Sequence, residues 1–309
     1  MDRPVIGRAF STVAVAAVMA ASLTAAQVFR AGTDLVLLSV TVTDAKNHSV
    51  ATLNREDFQV LEDGVGQEVT VFSREAQPIS LSLLLDTSTS MESKLGMAQE
   101  AAIGFCRRLG PRDVAQIITF ASETQIRQPF THDSGALETA IRQIHAGGST
   151  SLYTALYIAL NELNRARRAQ APDEIRRQAI VVLSDGENTS GLLGYEDVLD
   201  LARRSNVAVY AIGLRSAEDR ASHSFNEADF VLRSLAQTSG ARLFLVDQPA
   251  QLPAIYTQIA DELANQYTVG YISKNAKRDG AWRQITVRVR QAGVTARTKS
   301  GYFAPAKDK

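Results

Sequence analysis

Apolar and polar side chains alternate in the segment that begins near residue 35. Between residues 36 and 42, Val and Leu alternate with polar or smaller residues, which is the period of a half-buried β-strand. Two more strands are predicted at residues 58–61 and 69–72, separated by a turn that starts at residue 62. These strands form a module of roughly fifty residues, which is too small to bury a good hydrophobic core alone.

The pattern changes at Pro78, where continuous apolar runs begin to alternate with segments of helical periodicity. A continuous apolar run is typical of a strand that is covered on both faces. The predicted strands cover residues 79–85, 114–120, 179–183, 207–214 and 242–246, with a hairpin arm at 125–130. The predicted helices cover residues 95–109, 134–144, 151–167, 195–204, 228–238 and 251–264. Alternating strands and helices predict a Rossmann-like α/β fold, a doubly wound and mainly parallel sheet with helices on both faces.

The C-terminal tail returns to strand patterns. Strands are predicted at residues 267–272, 285–290 and 295–302. We infer that this tail pairs with the N-terminal β module, because each piece alone is too small for a core. The α/β domain would then be inserted in a discontinuous β-sandwich; two separate β extensions flanking it are the alternative. The predicted domains are an N-terminal β module at 27–77, an α/β domain at 78–264 and a C-terminal β segment at 265–305.

The first residues have the features of a cleavable signal peptide. Arg3 and Arg8 provide a basic start, residues 12–21 are rich in Ala and Val, and residues 24–26 are small enough for cleavage. The apolar run is shorter than the ~20 residues that span a bilayer. We therefore expect residues 1–26 to be removed and the protein to be secreted or periplasmic. An uncleaved anchor is the alternative, and no second membrane segment is predicted.

Charge and cysteine content exclude some classes of function and of stabilising bond. The 309 residues include 33 basic and 33 acidic side chains, and a net charge of zero argues against a general nucleic-acid binder. The single cysteine, Cys106, excludes an intrachain disulfide, and its apolar helical surroundings predict a buried small side chain. Stability must then come from core packing and from any bound metal.

Three short segments at the ends of apolar runs carry small hydroxyl or carboxylate residues. They are Asp86-Thr87-Ser88-Thr89-Ser90, Gly147-Gly148-Ser149-Thr150 and Ser184-Asp185-Gly186. Asp86 and Asp185 each lie just past a predicted strand, at the carboxyl edge where open parallel sheets bind ligands. Ser88, Ser90 and Thr150 add three hydroxyls. Such an all-oxygen set suits a hard divalent cation, with Mg²⁺ as the first choice and Mn²⁺ or Ca²⁺ as alternatives.

The charge of this set favours a ligand from another molecule. Two carboxylates at most neutralise a divalent cation, and hydroxyls add no charge. If either Asp binds through water, the ion keeps positive charge toward an open coordination position. We therefore expect a partner protein that presents Asp or Glu.

These segments resemble the von Willebrand factor type A domain family. Residues 86–90 match its D-x-S-x-S signature, residues 147–153 its second loop, and residues 181–186 its third, in the family's order. The resemblance covers roughly residues 78–264 and implies a metal-ion-dependent adhesion site. The implied metal ligands are Asp86, Ser88, Ser90, Thr150 and Asp185. The second loop carries an extra Ser where many members read Gly-Gly-Thr, which leaves Ser149 as an alternative to Thr150.

The flanking segments are similar, more loosely, to a bacterial subgroup of secreted proteins with a related domain. The similarity lies in residues 40–44, 57–64 and 299–302. It implies no particular partner.

Two other functions compete with the adhesion-type interpretation. A metal-dependent phosphatase of the haloacid dehalogenase type also places an Asp after a buried strand, but it needs a general acid two residues later, where this chain has Ser88. The chain also lacks H-E-x-x-H, G-x-S-x-G and Walker A motifs, so we expect no enzyme. Alternatively, the metal only holds the loops together while the β-sandwich contacts partners.

Overall fold

The fold combines one six-stranded sheet with two four-stranded sheets. It is seen in a computed structural model that describes residues 35–170, 175–185, 190, 193–215 and 227–306. The predicted signal peptide and Gly186 lie outside these residues. The strands are β1 (Leu35–Asp44), β2 (Phe58–Glu62), β3 (Val65–Gln67), β4 (Val69–Ser73), β5 (Ile79–Asp86), β6 (Val114–Phe120), β7 (Thr124–Thr131), β8 (Arg177–Ser184), β9 (Val207–Leu214), β10 (Leu243–Val246), β11 (Tyr267–Ile272), β12 (Trp282–Val289), β13 (Val294–Arg297) and β14 (Gly301–Phe303).

The six-stranded sheet has the order β10-β9-β8-β5-β6-β7. Its strands are parallel except β7, which pairs antiparallel with β6. Every residue of β5 and β8 is buried, which explains why both strands read as continuous apolar runs. These two strands lie side by side at the centre of the sheet, so the residues that follow them emerge together at its carboxyl edge.

Helices cover both faces of this sheet. In the described residues they are α1 (Leu95–Cys106), α2 (Ser134–Arg142), α3 (Leu152–Ala169), α4 (Tyr195–Arg204), α5 (Glu227–Ser239) and α6 (Leu252–Ala264). Leu83 and Leu85 pack with α1, α2 and α6, whereas Leu84 packs with α3, α4 and α5. Successive strand residues thus enter opposite cores, as the pleat requires. The predicted Rossmann-like, mostly parallel α/β fold is confirmed.

The remaining strands form a β-sandwich from both ends of the chain. One sheet has the order β13-β1-β11-β4, and the other has the order β14-β12-β2-β3. β1 pairs antiparallel with β11 and β13, and β12 pairs antiparallel with β2. The two sheets enclose a core that includes Leu38, Val60 and Val269. Residues from before and after the α/β domain therefore share one hydrophobic core.

One predicted element is wrong. We predict a single strand at residues 295–302, but the structure has β13 in one sheet of the sandwich and β14 in the other. The residues between β13 and β14 form hydrogen bonds with distant parts of the chain. Thr298 Oγ1 donates to Ser39 O (2.9 Å), and Ser300 N–H donates to Thr238 O (2.9 Å). Gly301 then passes so close to β12 that a Cβ would lie 2.3 Å from Arg283 O. Alternation alone could not reveal this change of sheet.

Among the described residues, none of the helices combines the length and the apolar character that crossing a membrane requires.

Candidate metal centre

Two carboxylates emerge next to each other from the centre of the six-stranded sheet. β5 ends at Asp86 and β8 ends at Ser184, and the two strands are in parallel register with Leu85 opposite Leu183. Asp86 and Asp185 therefore leave the sheet at its carboxyl edge, as their position after apolar runs predicts.

Asp86 is fully buried and held by two hydrogen bonds. Ser184 Oγ donates to Asp86 Oδ2 (2.6 Å), and Ser88 N–H donates to Asp86 Oδ1 (2.8 Å). Burial raises the pKa of the Asp86 carboxyl above its ordinary value; the bonds from Ser184 and Ser88 oppose this rise, and the charge of Asp185 adds to it. A cation beside this carboxylate would stabilise its charged form.

The loop after Asp86 connects it to Asp185 through two hydroxyls. Ser88 Oγ lies 3.1 Å from Ser90 Oγ, and Ser90 Oγ donates to Asp185 Oδ1 (2.7 Å). A short 3-10 turn, Thr89–Met91, sets this spacing, and the fully buried Met91 anchors it in the core. The hydroxyls of Ser88 and Ser90 and the carboxylate of Asp185 therefore form a connected chain of oxygen atoms, and the Ser88 backbone N–H ties this chain to Asp86.

The second loop lies directly against the first. Gly147 N–H donates to Thr87 O (2.7 Å), and Thr89 N–H donates to Gly148 O (3.0 Å). Gly148 has φ +91°, and a Cβ there would lie 2.6 Å from Ser122 Oγ, so both its conformation and its surroundings require glycine. These contacts fix the start of α3 beside the Asp86 loop.

Thr150 and Ser149 differ in their surroundings. Thr150 is buried, and its carbonyl accepts a hydrogen bond from Ser190 N–H (3.0 Å). Ser149 is only half-buried, and its Oγ lies 3.1 Å from Ser122 Oγ in the loop between β6 and β7. The hydroxyl of Ser149 thus contacts a loop that contributes none of the predicted ligands.

Lys94 belongs to this site, although no sequence motif marks it. Its ammonium group contacts Asp185 Oδ2; the Lys94 side chain is 21% exposed and that of Asp185 1%. Lys94 is the residue before α1, at a helix N-terminus, where a positive charge is unfavourable unless a partner compensates it. That unfavourable position, four residues after Ser90, is the signal in the sequence that could have revealed it.

The chemistry of the donors fits a hard divalent cation. Carboxylate and hydroxyl oxygens are the ligands that Mg²⁺ and similar ions prefer. In the part of the chain that the structure describes, no group of three or more His, Cys, Asp and Glu side chains is placed to hold a metal ion. Any ion bound at the sheet edge would therefore depend on hydroxyl ligands as well as on the two carboxylates.

Comparison with known proteins finds a family match over most of the α/β domain. A family model described as von Willebrand factor type A domain matches residues 81–258. Inter-alpha-trypsin inhibitor heavy chain H1 of Sus scrofa is 26% identical over 199 residues, which are 61% of this chain and 21% of that protein. An uncharacterized protein of Borreliella burgdorferi is 25% identical over 223 residues, 67% of this chain and 60% of that one. The chain thus spans less than two thirds of the length of either relative.

A solved structure shares the fold. The structure of von Willebrand factor type A from Catenulispora acidiphila matches with a TM-score of 0.50 and 13% sequence identity, covering 88% of this chain and 74% of that one. At this identity the likeness concerns the fold alone. Because the family model matches more than half of the chain, and the matched segment has the mostly parallel sheet of that fold, the protein belongs to the von Willebrand factor type A domain family.

Proposed function

We propose that the protein is a secreted or periplasmic binding protein that holds Mg²⁺ at the carboxyl edge of its central sheet and captures an Asp or Glu side chain of a partner protein. The observation that carries the proposal is the hydrogen-bonded chain of the Ser88 and Ser90 hydroxyls and the Asp185 carboxylate, which the Ser88 backbone N–H ties to Asp86. Domains of this family are typically metal-dependent protein-interaction modules. The signal-peptide features of residues 1–26 support a location outside the cytoplasm.

Charge supports an acidic ligand from outside. Asp86 and Asp185 bring at most two negative charges, and the hydroxyls of Ser88, Ser90 and Thr150 bring none. Both oxygens of Asp86 already accept hydrogen bonds, from Ser184 and from the Ser88 backbone. A cation at this edge would therefore keep an affinity for one further anionic oxygen, which a partner's carboxylate supplies.

Thr150 is the proposed hydroxyl ligand of the second loop. It is buried in the loop that is hydrogen-bonded to the Asp86 loop, whereas the Ser149 hydroxyl contacts Ser122. Mg²⁺ is the proposed ion, and Mn²⁺ or Ca²⁺ would also accept these oxygen ligands.

A crosslinking pulldown from the native cell envelope tests the proposal. Partner capture should require Mg²⁺, disappear with EDTA, and disappear in Ser88→Ala and Asp185→Ala while circular dichroism shows an intact fold. Ser93→Ala is a matched control, since it removes a nearby hydroxyl outside the ligand set. If the site variants capture the same partner as well as the wild type does, the metal-bridged model is wrong. If EDTA lowers thermal stability but leaves capture intact, the metal is structural only.

We further propose that the protein is not an enzyme. The position two residues after Asp86 holds Ser88, whose hydroxyl has far too high a pKa to act as a general acid. A Mg²⁺-dependent phosphatase assay should therefore give no turnover above background. Turnover that disappears in Asp86→Ala would instead establish phosphoryl transfer.

A further inference from the structure

Lys94 and Ser90 together take up both oxygens of Asp185. Ser90 Oγ donates to Oδ1 (2.7 Å), and the Lys94 ammonium group contacts Oδ2. Asp185 is thus already ion-paired within its own chain. A divalent cation that binds Oδ2 directly has to compete with this ammonium group.

The pairing also changes the charge of the site. Asp86 and Asp185 carry two negative charges when ionised, and Lys94 offsets one of them. If Lys94 stays in place, an arriving divalent cation finds the Asp185 carboxylate already paired with the Lys94 ammonium group. Like charges that share one carboxylate repel each other, and the repulsion is stronger beside a buried carboxylate such as that of Asp185 than in bulk water.

The side chain of Lys94 can leave without disturbing the loop. Its backbone is held on both sides, since Lys94 N–H donates to Met91 O (2.9 Å) and Ala98 N–H donates to Lys94 O (3.1 Å). The side chain is 21% exposed, whereas that of Asp185 is 1% exposed. A flexible four-carbon side chain that is partly exposed can turn outward while the buried carboxylate keeps its position.

We propose that Lys94 is a built-in competitor of the metal: it holds Asp185 in place and must release Oδ2 before that oxygen can bind a divalent cation. The proposal rests on the metal site described under the proposed function. Lys94 is a positioning residue that sets the affinity of the site for the ion.

Calorimetric titration of the full chain with Mg²⁺ tests the proposal. Lys94→Met keeps the length of the side chain and removes its charge, so it should bind Mg²⁺ roughly tenfold more tightly, because the ion no longer has to displace or face an ammonium group at Asp185. Lys94→Gln is a second uncharged variant and should change affinity in the same direction. Lys94→Arg keeps the charge and should bind no more tightly than the wild type.

Thermal stability gives an independent readout. In EDTA, Lys94→Met should melt at a lower temperature than the wild type, because the buried Asp185 has lost its cation. Added Mg²⁺ should raise its melting temperature by more than it raises that of the wild type, because stabilisation grows with affinity. Arg107→Met is the matched control: it removes one positive charge at the other end of α1, where Arg107 pairs with Glu138. It should leave Mg²⁺ affinity unchanged.

The outcomes separate the two proposals. If the wild type binds Mg²⁺ and the folded uncharged variants bind it equally or more weakly, Lys94 does not compete and the inference is wrong, whereas the metal site stands. If neither the wild type nor the uncharged variants bind Mg²⁺, Mn²⁺ or Ca²⁺, the proposed metal site fails and the inference fails with it.

Discussion

Ser184 Oγ donates a 2.6 Å hydrogen bond to Oδ2 of Asp86, so the last residue of one central strand holds the last residue of its neighbour. Both side chains are buried, at 2% and 0% exposure. The bond joins two of the three segments that the site needs, and it comes from a residue outside the predicted ligand set.

Ser184→Ala should lower the free energy of unfolding by about 1.5–3 kcal/mol in EDTA, because Asp86 loses a hydrogen bond in a buried environment. Mg²⁺ should restore part of this loss by stabilising the Asp86 carboxylate. Urea unfolding with EDTA and with Mg²⁺ measures both quantities. Ser82→Ala is the control, since it removes another buried hydroxyl from the same sheet, bonded to Gln116 (2.6 Å). An equal loss with and without Mg²⁺ in Ser184→Ala would argue against a metal beside Asp86.

Thr150→Ala and Ser149→Ala form a matched pair in the second loop. Thr150→Ala should weaken Mg²⁺ binding by at least about tenfold, because it removes the proposed ligand itself rather than a group that supports a ligand. Ser149→Ala should leave the affinity nearly unchanged, since its hydroxyl contacts Ser122. Calorimetric titration of both variants checks this, and the reverse ranking would assign the ligand to Ser149.

Glu62 should be a main source of stability in the β-sandwich. Its buried carboxylate accepts hydrogen bonds from Tyr271 Oη (2.7 Å), Tyr302 Oη (2.9 Å) and Ser273 Oγ (2.5 Å), which joins strands of both sheets. Glu62→Ala should cost about 3 kcal/mol or more, because buried hydroxyls lose their acceptor. Tyr302→Phe should cost about 1–2 kcal/mol, since it removes one bond and leaves the rest. Urea unfolding measures both, and equal losses would contradict a shared network.

Cys106 should resist alkylation until the protein unfolds. It is 3% exposed, and burial raises the pKa of its thiol from the usual 9.0 to about 12. The folded state therefore keeps the thiol proton at pH values where the unfolded state loses it. Its stabilising contribution is complete below pH 9 and is lost between pH 9 and pH 12.

The comparison of the wild type with Cys106→Ala isolates this contribution. At pH 7 the variant should be less stable by about 1 kcal/mol, because a small buried side chain is truncated. The difference should shrink as the pH rises above 9. A constant difference across this range, or rapid alkylation of the native protein by iodoacetamide, would contradict the buried, neutral thiol.

The central strands β5 and β8 were predictable because they are buried on both faces. Runs such as residues 79–85 and 179–183 are mostly or wholly apolar, and a run of that length and character is typical of a strand covered on both sides. The carboxyl-edge positions of Asp86 and Asp185 follow from parallel topology without any knowledge of side-chain contacts.

Two features escaped prediction for physical reasons. The split of residues 295–302 depends on contacts of residues 298 and 300 with distant parts of the chain, and local alternation carries no information about them. Lys94 contacts Asp185, a residue that is 91 positions away in sequence. Only its unfavourable place at a helix start gives a local indication of that partner.

The α/β domain leaves the β-sandwich and returns to it through neighbouring strands. β4 precedes the domain, β11 follows it, and the two are paired antiparallel with Phe72 opposite Val269. The two points where the chain enters and leaves the α/β domain are therefore adjacent. Adjacent entry and exit points are the geometry that allows a domain to be transplanted into a loop of another protein.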